Sequence, residues 1–137
     1  MDTGLQFILD ITRVQSTLVK KVEGPLSGHG LGFSDFVILH YLAQANEGKL
    51  RRIDLADKVC ITASGVTRML APMEKIGLVS RETNERDARS SFVLLTSSGK
   101  RLYKDALKTI EYVAADIFPA TKMKKIEKLV ELLAEVM

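Results

Sequence analysis

The chain has 137 residues, 46% hydrophobic and 27% charged, which is a globular composition of single-domain size. Aromatic residues make up only 6% and tryptophan is absent, which argues against a module that binds oligosaccharides or cations on an aromatic surface. The net charge of +3 is unevenly placed: residues 1–48 hold three basic and five acidic side chains, residues 49–104 twelve and six, and residues 105–137 five and six.

A basic middle between mildly acidic flanks is the local footprint expected of a nucleic-acid contact. The single cysteine, Cys60, excludes a disulfide scaffold. The N-terminal Met-Asp-Thr-Gly-Leu-Gln-Phe lacks a basic n-region and a small-residue cleavage site. No apolar run approaches the ~20 residues of a membrane span. The chain is therefore expected to be soluble and cytoplasmic, without a membrane partner.

In chain order, Ile8, Ile11, Leu18 and Val22 recur at helical spacing, which predicts a helix over 5–23. Leu5, Leu9 and Val14 widen its stripe enough for burial against more than one neighbour. The Gly- and Pro-rich residues 24–32 predict a loop. Ser34 is the expected N-cap of a helix over 35–45, with Asp35 near the positive end of its dipole. Asn46-Glu47-Gly48 ends that helix. A short helix over 52–60 carries Ile53, Leu55, Ala56 and Val59. Thr62 caps the next, over 63–76, and Gly77 takes the left-handed position that closes it. Two helices about two residues apart read as a helix-turn-helix.

Leu78 to Thr83 and Phe92 to Thr96 then read as the arms of a β-hairpin with a charged tip over 84–90. Two helices close the chain. Tyr103, Ala106, Leu107, Ile110, Val113, Ala114 and Ile117 form one stripe, and Phe118-Pro119-Ala120 interrupts it. Ile126, Leu129, Val130, Leu133, Val136 and Met137 resume it. The intervening domain is too small to cover both stripes, so the two ends of the chain are expected to pack together and against a second copy, in a homodimer.

The helix over 63–76 has two faces. Val66, Leu70 and Met73 point inward, while Ser64, Thr67, Arg68, Ala71 and Lys75 share an outer face without an acid. Small side chains let a backbone approach a major groove, hydroxyls bond bases or phosphates, and Arg can bond a guanine edge bidentately. The helix N-terminus at Thr62 favours phosphate. The hairpin tip adds Arg86 and Arg89, which a thin projection can carry into a narrow minor groove. Asp87 would repel phosphate if it faced DNA, so it is expected to bond within the turn and support Arg89.

These residues resemble the winged helix-turn-helix of MarR-type bacterial transcription regulators. Thr62-Ala63-Ser64-Gly65-Val66-Thr67-Arg68 looks like the start of the family's recognition helix. Glu74-Lys75-Ile76-Gly77-Leu78-Val79 looks like its exit. Asp87-x-Arg89-x-x-x-Val93-x-Leu95-Thr96 matches the family's wing signature, and is the most specific of the three. The resemblance covers essentially the whole chain. It implies a mainly α fold with a small β-hairpin wing: an N-terminal dimerisation helix and loop over 1–33, a winged helix-turn-helix DNA-binding region over 34–97, and C-terminal dimerisation helices over 98–137.

The resemblance further implies a homodimer on pseudo-palindromic double-stranded DNA, with the helix over 63–76 in the major groove and the wing in the minor groove. By position, Ser64, Thr67 and Arg68 would contact bases and phosphates, Arg89 would be the wing arginine, and Asp87 its support. A repressor released by a small phenolic or anionic effector is the expected function. Two positions depart from the family pattern. Pro72 lies inside the recognition helix and removes a hydrogen bond to the Arg68 carbonyl. Gly65 stands where a larger polar residue is common, so one base contact is expected to be missing.

Other features point away from catalysis. His29 and His40 are the only histidines, and no His, Cys or carboxylate pair has metal-ligand spacing, so neither a metal nor a cofactor is expected. No Ser-His-Asp arrangement can be built, and Gly28, Gly30 and Gly32 lack the preceding strand of a dinucleotide fingerprint. The chain is read as no enzyme. His40 and Tyr41 are candidates for an effector pocket, against ordinary packing. The alternatives to a ligand-responsive repressor are a winged-helix protein-interaction module and an oxidant-sensing regulator that uses Cys60.

Overall fold

The computed structural model describes residues 2–82, 86 and 91–137. In chain order its elements are α1 (Thr3–Ser27), α2 (Phe33–Gln44), β1 (Lys49–Arg51), α3 (Arg52–Val59), α4 (Ala63–Lys75), β2 (Val79–Glu82), β3 (Phe92–Leu95), α5 (Ser97–Ile117) and α6 (Met123–Val136). The mainly helical fold with a hairpin is the one the periodicity predicts.

α1 runs past its expected end, through Gly24 and Pro25 to Ser27. Proline lacks one N–H and cannot bond back to the preceding turn, but burial outweighs that loss here. Val22 is buried and Leu26 fully so, which anchors the last turn in the core. The Ser27 hydroxyl donates to the Gly24 carbonyl at 2.6 Å. The chain leaves the helix only at Gly28, and His29 Nε2 lies 2.7 Å from Thr109 Oγ1 of α5, tying the loop down.

α2 also starts earlier than expected. Gly32, not Ser34, is its N-cap, and the Gly32 N–H donates to Asp35 Oδ2 at 2.9 Å. Its carboxylate thus bonds an N–H that the helix leaves unpaired, at the positive end of the dipole. α3 ends at Cys60, which adopts a left-handed conformation with φ 58°. α4 begins at Thr62 as expected, with Gly65 N–H donating to Thr62 Oγ1 at 3.0 Å. At its other end Leu78 N–H bonds the Met73 carbonyl at 2.9 Å and Gly77 N–H bonds Glu74 at 3.0 Å. That pair of bonds, with Gly77 at φ 81°, is the Schellman ending.

The hairpin of β2 and β3 gains a third strand that the periodicity does not show. β1 pairs antiparallel with β3, Leu50 opposite Val93, in the order β1-β3-β2. Three residues are too few to display an alternation.

The core runs beneath this region. Leu26, Ile38, Leu39, Leu42, Leu55, Val66, Leu70, Val79 and Val93 are fully buried. Each contributes about 2 kcal/mol of burial free energy. α5 joins through Tyr103 and Ala106, whereas α6 contributes no buried residue. No helix among the described residues is long and apolar enough to cross a membrane.

Candidate nucleic-acid interface

α4 is held by its inner face. Val66, Leu70 and Met73 are at most 3% exposed and lock the helix onto the core. Ser64, Arg68, Ala71 and Lys75 are exposed on the opposite side, and Thr67 is half-buried between the two. The sequence-derived outer face therefore exists as one surface, with Thr62 exposed at its N-terminal end.

The N-terminal turn explains Gly65. A Cβ there would stand 3.1 Å from Thr62 Oγ1, the oxygen that accepts the Gly65 N–H. Glycine keeps the cap tight, at the expense of the side chain that would otherwise project outward. Pro72 is exposed, and α4 continues through it, with Ile76 N–H donating to the Pro72 carbonyl at 3.2 Å.

Ion pairs sort the basic residues. Arg81 of β2 bonds Glu74 of α4 at 2.7 Å, which fastens the wing's first arm to the end of that helix. Arg51 Nε lies 3.0 Å from Asp54 Oδ2; this hydrogen bond, reinforced by the carboxylate's charge, raises the guanidinium's pKa above its ordinary value. Lys49 is 3.7 Å from Glu47. Arg52, Arg68 and Lys75 have no acidic partner among the described residues. Of the basic residues on α4, on β2 and at the start of α3, these three are thus the ones left unneutralised.

At the hairpin tip, Arg86 occupies an exposed turn and has an interaction partner. Asp87 and Arg89 lie outside the described residues. Thr96, at the close of the wing, caps α5 by accepting from Gly99 N–H at 3.0 Å. Its hydroxyl also lies 2.6 Å from the Gly77 carbonyl, so one side chain joins helix α5 to the turn behind α4.

A cavity of about 370 Å³ opens where α1 and α2 meet α3 and α4, lined by Glu23, Phe33, Val37, Lys58, Ile61 and Met69 among others. A smaller, nearly all-apolar one of about 260 Å³ adjoins it at Gln15, Val19 and Phe33 and reaches Ile110 and Phe118 of the α5 end. His40 and Tyr41 line neither cavity. His40 Nδ1 lies 2.7 Å from the buried Tyr103 hydroxyl, and Tyr41 sits beneath Lys58 Nζ at 5.5 Å. The lining residues escape sequence reasoning because they come from four helices and share no spacing. Cys60 is exposed at the turn between α3 and α4.

A helix-turn-helix backed by a three-stranded antiparallel sheet defines a winged helix-turn-helix protein. The MarR family profile matches residues 34–91. The chain is 33% identical over 106 residues to the homoprotocatechuate degradative operon repressor of Escherichia coli, covering 75% of this chain and 70% of that protein. It is 34% identical over 91 residues to the HTH-type transcriptional regulator FarR of Neisseria gonorrhoeae, covering 66% of this chain but only 62% of FarR. Among solved structures, NadR in complex with 4-hydroxyphenylacetate is 27% identical with a TM-score of 0.79, over 93% of this chain and 89% of that one. Sco3205 of Streptomyces coelicolor in complex with DNA shares the fold at 22% identity and a TM-score of 0.76, over 98% and 89%. The chain belongs to the MarR family of transcription regulators.

Proposed function

We propose that the chain is a homodimeric, sequence-specific regulator of transcription that binds pseudo-palindromic duplex DNA and acts as a repressor released by a small effector. One observation carries the DNA reading: the exposed face of α4 presents Ser64, Arg68 and Lys75 without an acid, and Arg68 and Lys75 have no acidic partner among the described residues. A major groove accepts such a face, and Arg68 at its centre can address a guanine edge. Thr62 lies at the helix N-terminus, where phosphate is favoured. Arg86 and Arg89, with Asp87 as support, serve the minor groove from the wing.

In this reading residues 34–97 contact DNA, and residues 1–33 and 98–137 form the dimer. The cavity between those parts suits the effector. Its walls are mostly apolar, and Lys58 supplies a cation for an anionic or phenolic group. The complex of NadR with 4-hydroxyphenylacetate and the name of the E. coli repressor support a small aromatic acid.

Selection from a random duplex pool by the purified protein tests the DNA reading. The expected outcome is an enriched site with two half-sites about one helical turn apart. Recovery of no enriched sequence, together with a stable complex with another protein, would favour an interaction module instead.

A further inference from the structure

We propose that Arg52, the first residue of α3, grips a DNA phosphate between the recognition helix and the wing, with Thr67 as its positioning residue. The inference rests on the DNA-binding reading above. It starts from two hydrogen bonds that tie Arg52 to both DNA-facing parts. Its backbone N–H donates to the Ser91 carbonyl at 3.1 Å, where the chain returns from the wing into β3. Its side-chain Nη1 donates to Thr67 Oγ1 of α4 at 2.9 Å.

The Thr67 hydroxyl is already committed. It donates its one proton to the Ala63 carbonyl at 3.0 Å and accepts from Arg52. Phosphate oxygens only accept, so Thr67 has no proton left to offer one. Its role is to orient the guanidinium. Arg52, by contrast, spends one of its five N–H groups on Thr67, and the others make no bond among the described residues.

The charge on Arg52 is also uncompensated. The nearby acid, Asp54, is taken by Arg51, so the Arg51-Arg52 doublet divides into a paired arginine and an unpaired one. Arg51 is exposed and turned to its own helix, whereas Arg52 is half-buried and fixed against α4. A rigid, planar cation with spare donors is suited to a phosphate.

Position supplies the target. A recognition helix in a major groove and a wing in the neighbouring minor groove have the sugar-phosphate strand that separates the grooves between them. Arg52 stands at the junction of those two parts. Lysine there could carry the charge but could not match the fork that bonds Thr67 and phosphate together.

The test uses full-length wild type, Arg52→Gln, Arg52→Lys, Thr67→Val and the double variant Arg52→Gln/Thr67→Val. The probe is the labelled duplex that wild type enriches from a random pool, and affinity is read across a series of KCl concentrations. Arg52→Gln is expected to weaken binding about tenfold per half-site, about a hundredfold on the two-half-site duplex, and to flatten the log–log salt slope by about 1.8, the share of two phosphates, one for each protomer. Arg52→Lys should keep the slope while losing part of the affinity. Thr67→Val should weaken binding in the wild-type background and add nothing further to Arg52→Gln. Thermal midpoints establish that each variant is folded, and Thr67→Val keeps the test open if Arg52→Gln is not. An unchanged salt slope in folded Arg52→Gln, or full additivity of the two substitutions, overturns the proposal while leaving DNA binding standing. Failure of wild type to enrich any duplex overturns both readings.

Discussion

Arg68 and Gly99 show how single residues divide between reading and building. Arg68 is exposed at the centre of the acid-free face, with no acid to neutralise it among the described residues. Arg68→Ala is expected to cost about 1–3 kcal/mol of DNA affinity per half-site and to relax discrimination at one position of each half-site. Competition binding with single-base variants of the selected duplex measures both. Gly99 plays no part in that surface. It is buried in the first turn of α5, and a Cβ there would run into the Leu78 carbonyl oxygen and crowd the Leu95 side chain. Backbone cannot yield as a flexible side chain can, so Gly99→Ala is expected to destabilise the fold by about 3 kcal/mol, read by urea denaturation. The arginine shows itself in the sequence through helical spacing. The glycine does not, because its requirement comes from a contact with a residue outside its own helix.

At the scale of elements, α4 tolerates a proline in its interior because neighbouring bonds and its buried face hold it. Pro72 is exposed, so its ring fills no core position and its cost is the donor withheld from Arg68's carbonyl. Pro72→Ala restores that donor. Replacing proline by alanine in a helix interior gains about 3 kcal/mol with the unfolded chain's freedom already included, and less within the last turns of a helix, where Pro72 lies. A net gain of about 2 kcal/mol is expected, seen as a higher urea midpoint. Pro25 in α1 makes the complementary point. Local rules end that helix at Gly24, yet burial of Leu26 carries it on to Ser27. Sequence patterns were sufficient where an element's signal lies within itself: the Thr62 cap, the Gly77 ending and the stripe of α5. They were insufficient where tertiary contacts decide, as in β1, which exists because β3 offers Leu50 a partner. The candidate site divides in the same way. The face of α4 is periodic and legible, while the bond between Arg52 and Thr67 joins two helices and has no trace in spacing.

For the whole molecule, the distribution of apolar surface supports the proposed homodimer. Ile8 is 60% exposed, Val130 58% and Val136 75%, and no residue of α6 is buried, only Ile126 and Leu133 being partly covered. Extended apolar faces of this kind on both ends of a chain mark an interface, and the amphipathic spacing of α1 and α6 suits helices packing against a second copy. Wild type is therefore expected to sediment at twice the 15.2 kDa chain mass. Leu129→Glu combined with Val130→Glu places two carboxylates on that face without touching a buried residue, since both positions are exposed within the single chain. The double variant is expected to sediment as a monomer with its winged region still folded. Its affinity for a two-half-site duplex should fall by about 10²-fold or more, because the second half-site is no longer held at high effective concentration. Its affinity for a single half-site should match that of wild type. A double variant that remains dimeric would place the interface elsewhere on the molecule. One that is monomeric yet binds the full site undiminished would mean that each protomer reads DNA alone.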